Sequence, residues 1–129
     1  MNQQQVQAMI AKAVELASNN QQAIAVSICD THGELLGFLR MDGVSLQAGV
    51  LAQNKAYTSA RDRQPSGNLG AWAAESGTPL ASWTDARITG FAGGVPIEVA
   101  GEVVGAIGIS GLAQEDDEAL ALNVIHSVL

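Results

Sequence analysis

The chain has 129 residues and a formal net charge of −7, from thirteen Asp and Glu against six Lys and Arg. Hydrophobic residues at 47% and charged residues at 15% supply enough apolar surface for a core and exclude a disordered chain. The acidic balance, with aromatics at 4%, argues against nucleic acid or an anionic membrane as partner.

Residues 3–18 read as a helix, because Val6, Met9, Ile10, Ala13, Leu16 and Ala17 recur at helical spacing. Asn2 with Gln5 makes a capping-box pattern at its start, and Asn19-Asn20 is its stop. Residues 23–29 form an almost wholly apolar strand, expected to be central with both faces covered. Asp30-Thr31-His32-Gly33 is a tight turn, and residues 34–41 return as the second strand of a hairpin. A second helix spans about 45–62, with Ala48, Ala52, Ala56 and Ala60 on one stripe that permits close approach to a sheet. Gln64-Pro65-Ser66-Gly67 ends it.

Residues 66–87 are less regular: Leu69, Trp72 and Ala73 can anchor a short helix, and the segment holds both tryptophans, Trp72 and Trp83. It is expected to cap one side of the fold or to form a subunit contact. Val95–Val99 and Glu102–Ser110 make a second hairpin around Ala100-Gly101. A last helix begins near Gln114, its first turn loaded with Glu115, Asp116, Asp117 and Glu118 as the helix dipole prefers; these four read as a solvated helix start. The expected class is α+β, an antiparallel sheet of about five strands with helices packed on it, in one domain over residues 1–129.

Few residues carry chemistry. The single cysteine, Cys29, lies in an apolar run and reads as a small buried hydrophobe. The chain opens without a basic segment followed by an apolar stretch, and no run reaches membrane-spanning length, so the cytoplasm is the expected location. The glycines of Gly105–Gly111 sit inside a strand pattern with no Lys-Ser/Thr after them, which speaks for close backbone approach rather than a phosphate loop. No His-Asp partner accompanies any serine, no metal-ligand spacing is present, and no catalytic residue is assigned. Lys55, beside the alanine stripe, and Arg40, at a strand end, are candidates for holding a carboxylate or phosphate at a pocket edge. His32 and His126 stand alone, yet a haem iron needs only one or two axial donors, so both are candidate axial ligands.

Three segments together resemble the GlcG/HbpS-type family, which includes haem-binding proteins and the C-terminal domain of PduO-type adenosyltransferases. They are Val26–Leu36 leading into Arg40-Met41-Asp42-Gly43, then Asn54–Ala60, then Gly93-Gly94-Val95-Pro96-Ile97 running to Val104–Gly111. The resemblance implies a profilin-like fold with a central five-stranded antiparallel sheet, a homo-oligomer, and haem or another tetrapyrrole as ligand. It further implies that Arg40, Lys55, Thr58 and the Gly93-Gly94 backbone line a site. The N-terminal helix, a source of haem ligand in some relatives, has no His, Tyr or Cys here, and Met9 is its one conventional iron donor.

The leading expectation is therefore a non-catalytic small-molecule-binding protein. Its rivals are an enzyme or enzyme accessory of small hydroxy-acid, glycerol or diol catabolism, with Lys55 and Arg40 on the substrate carboxylate, and a purely structural subunit joined through Trp72 and Trp83.

Overall fold

The computed structural model describes all residues, Met1–Leu129. Helix α1 spans Gln3–Asn19, strands β1 and β2 span Ala25–Cys29 and Leu35–Arg40, and helices α2 and α3 span Leu46–Asp62 and Ser66–Ser76. A 3-10 turn follows at Leu80–Trp83, then β3 at Gly94–Val99, β4 at Glu102–Ser110 and helix α4 at Gln114–Val128.

Local chemistry sets these boundaries. The capping box is present: the Asn2 side chain accepts from Gln5 N–H at 2.9 Å, and the Gln5 side chain accepts from Asn2 N–H at 2.9 Å. In the first turn Asp30 Oδ1 accepts from the N–H groups of His32 and Glu34 at 2.8 and 3.0 Å, which folds the chain back into β2. Ser45 caps α2 through Ala48 N–H. At the second hairpin Ala100 and Gly101 both take positive φ, 53° and 81°, the pair of left-handed residues that suits the strand twist.

The sheet is antiparallel in the order β2-β1-β4-β3. It has four strands rather than the expected five. The stretch leading into β3 does not join the ladder, because side chains bind its backbone instead: Thr58 Oγ1 accepts from Thr89 N–H, Ser66 Oγ donates to Phe91 O, and Gln114 Oε1 accepts from Ala92 N–H. The segment 66–87 is also more ordered than its composition implies, since α3 fills half of it and closes on Gly77 at φ 70°.

β1 is central and buried on both faces, and those faces differ in kind. Val26 and Ile28, with Ile107 and Ile109 of β4, pack against Val6, Met9 and Ala13 of α1 and Ala121 and Val124 of α4 in the main core. The opposite face offers Ala25, Cys29 and Ala106 to Ala48, Ala52, Ala56 and Ala60, so α2 lies close on the sheet as the alanine stripe predicts.

Candidate functional site

Lys55 leaves α2 beneath β4 and is 2% exposed. Its ammonium donates to Ile109 O at 3.0 Å and to Asp117 Oδ2 at 2.9 Å. Asp117 is equally buried, and its other oxygen accepts from Leu112 N–H at 3.0 Å. Burial pushes the Asp117 carboxyl above its ordinary range, against the downward pull of the Lys55 ammonium and the Leu112 N–H. The expected carboxylate is thus present, but it belongs to the protein. Lys55 ties α2, the sheet and α4 together, and it has no free face toward a ligand.

Gly93 and Gly94 belong to this joint. A Cβ on Gly93 would stand 2.9 Å from Lys55 Nζ and 2.4 Å from Ile109 O, and one on Gly94 would stand 2.2 Å from Lys55 O. Thr58 is fully buried and holds the segment before β3. Lys55, Thr58, Gly93 and Gly94 therefore do come together, as a packed joint rather than a pocket wall. Arg40 is not among them. It lies on the edge strand β2, separated from β4 by β1.

The candidate iron donors are dispersed. Met9 is fully buried in the main core, so its thioether reaches a ligand only if α1 leaves the sheet. His32 is exposed on the Asp30–Gly33 turn among polar groups. His126 lies in the last turn of α4 and lines a groove of about 620 Å³ with Val99, Ile125, Val128 and Leu129 as apolar wall and Glu98 at the rim.

A second recess, of about 180 Å³, opens between α2, β1 and the first turn; Ser27, Cys29, Glu34, Asn54, Tyr57 and Arg87 are among its lining. Tyr57 donates to Asp85 Oδ2, and Arg87 donates to the Tyr57 hydroxyl at 2.8 Å while its guanidinium lies 3.9 Å from the ring centroid. The hydrogen bond from Tyr57 and the Arg87 N–H hold Asp85 below its ordinary value, and burial together with that bond raises Tyr57. Burial pushes the Cys29 thiol up to about 12, so it is protonated at neutral pH and inert as a nucleophile.

Sequence reasoning missed Asp117 and the Tyr57–Asp85–Arg87 set. Of the four acidic residues in that run, Asp117 alone is buried; it continues the buried face of α4 one turn back from Ala121 and Val124, a spacing visible in the sequence. No three His, Cys, Asp or Glu side chains are grouped to hold a metal, and no helix is long and apolar enough to cross a membrane.

Comparison with known proteins agrees with the three-segment resemblance. A family model described as haem degrading protein HbpS-like matches residues 1–126. The chain is 32% identical to protein GlcG of Escherichia coli K12 over 110 residues, which is 85% of this chain and 81% of that protein. A solved PduOC:heme complex superposes with a TM-score of 0.92 at 27% identity, covering 99% of this chain and 94% of the other. A double mutant of Streptomyces reticuli HbpS superposes with a TM-score of 0.90 at 25% identity, covering 100% of this chain and 87% of the other.

Proposed function

The chain belongs to the HbpS-like family, and on that premise we propose that it binds haem, or a closely similar tetrapyrrole, in the groove lined by His126. The observation that carries this reading is the pairing of one imidazole with an apolar wall in one groove of about 620 Å³. Val99, Ile125 and Val128 offer the faces that exclude water from a porphyrin ring. His126 offers the nitrogen donor, and haem supplies an iron that takes one or two such donors. Glu98 at the rim works against the propionates, as does the net charge of −7.

Titrating the protein with haemin should give a saturable Soret shift. His126→Ala should weaken binding at least about tenfold, or ~1.4 kcal/mol. Glu98→Gln should tighten it, and His32→Ala should leave it unchanged. A featureless response, or full binding in His126→Ala, removes the assignment. Decay of the Soret band under a mild reductant and air would distinguish degrading haem from holding it.

Self-association completes the reading. β2 is an edge strand whose outer N–H and C=O groups have no strand partner, and Leu35, Leu36, Phe38 and Leu39 are all exposed on it. Such an edge invites a second copy, because Arg40 is the one charge on it. Light scattering should show an oligomer that Leu36→Lys with Phe38→Lys disperses; a monomeric parent protein would end this part of the proposal.

A further inference from the structure

The recess floored by Ser27 is separate from the haem groove and has a different chemistry. Ser27 is 1% exposed, faces α2 from the central strand, and its hydroxyl makes no hydrogen bond within the protein. A buried hydroxyl left open on a cavity is a place for a ligand atom. Asn54 brings a half-buried amide to the same space, also without a protein partner, and Gln53 uses only its NH₂ group, on Gly49 O at 3.4 Å. Arg87 is the one positive side chain of the lining, and it is fixed over the Tyr57 ring with its hydroxyl contact made. Asp85 accepts from the Tyr57 hydroxyl and the Arg87 backbone N–H and lies 3.6 Å from Arg87 Nε, and the terminal guanidinium N–H groups beyond the one on Tyr57 have no partner within the protein.

We infer that this recess binds a short monocarboxylate, its carboxylate on Arg87 and a hydroxyl on its tail meeting Ser27 and Asn54. Arg87 gathers charged donors at one end of the recess, where a carboxylate fits, while Ser27, Asn54 and the free Gln53 oxygen can both give and take hydrogen bonds, as a hydroxyl requires. Glu34, exposed at the same recess, repels a second negative charge, which disfavours phosphate and dicarboxylates. The size of the recess, about 180 Å³, suits a small metabolite rather than a macrocycle.

Isotope-labelled protein titrated with lactate tests this through the amide resonances of residues 27–35 and 53–57. Saturable shifts confined to those residues are expected. Arg87→Gln should weaken lactate at least about tenfold, and Ser27→Ala by about two- to tenfold. Arg87 is exposed, so its replacement should leave the spectrum in place away from Tyr57 and Asp85, the side chains its guanidinium touches. Propionate, which lacks the hydroxyl, should bind more weakly than lactate but equally to the parent and Ser27→Ala. His126→Ala should not alter lactate binding, which separates failure here from failure of the haem assignment. Absence of saturable shifts, unchanged lactate affinity in Arg87→Gln, or inorganic phosphate binding as well as lactate would each overturn the inference.

Discussion

Lys55→Ala is expected to destabilise the protein by about 3–5 kcal/mol, because it leaves the buried Asp117 carboxylate without its cation. The loss exceeds that of an ordinary hydrogen bond, since neither Asp117 nor Ile109 O has water to turn to. The effect carries a pH signature. Burial already raises Asp117 in the folded protein, and removal of Lys55 takes away a downward pull, so the variant's carboxyl rises further. A folded value above the unfolded one means the unfolded state releases its proton first as pH increases. The variant should therefore be least impaired below the ordinary aspartate value of 3.8 and lose stability as pH climbs toward its raised folded value. Denaturant titrations of the parent and the variant at acidic and neutral pH measure this directly. A gap that is constant with pH would show that packing, not charge, makes the joint. Lys55→Met combined with Asp117→Leu should recover much of the loss, because two apolar groups leave no orphaned charge.

Gly108→Ala is expected to cost about 3 kcal/mol, the upper range for overpacking. A Cβ there would stand 2.1 Å from Ala52 O and 2.6 Å from Ala56 N, which are helix backbone and cannot rotate away. The whole of α2 must lift, and its alanine contacts lift with it. Gly43→Ala is the matched control: nothing lies within 4 Å of its Cβ, so only its left-handed backbone at φ 86° resists, at about 1–2 kcal/mol. Thermal melts of the two variants compare these costs, and equal losses would mean that contact with α2 is not what the glycine serves.

Much of the fold was legible because its signals are local. The capping box at Asn2, the Asp30 turn, the Ala100-Gly101 turn and the alanine stripe each act within a few residues, and each is found where the sequence places it. Two further local signals lie in the sequence: Gly77 behind α3, and the spacing from Ala121 back to Asp117. The site was less legible because its contacts are long-range. Lys55 and Asp117 are 62 residues apart, and Tyr57 meets Asp85 and Arg87 across 28 and 30 residues. Spacing within one element cannot pair such groups. Lys55 stands out in the sequence as an isolated cation beside a small-residue stripe, and the carboxylate it meets in the fold is Asp117. The missing fifth strand has a similar origin: Thr58 and Ser66 satisfy the backbone before β3, and side chains that serve in place of a neighbouring strand leave no trace in periodicity.

The unequal faces of the sheet bear on how this chain can diverge. On the α1–α4 side, isoleucine, valine and methionine can trade places at nearly constant volume, and drift there is cheap. On the α2 side, away from the recess at Ser27, the packed residues are already alanine, glycine and cysteine, so almost every change adds atoms where none fit. A library randomised across the core should return survivors rich in aliphatic exchanges on one face and nearly invariant on the other. New binding properties are thus easier to evolve at the rims, around the first hairpin and the end of α4, than beneath the alanine stripe of α2.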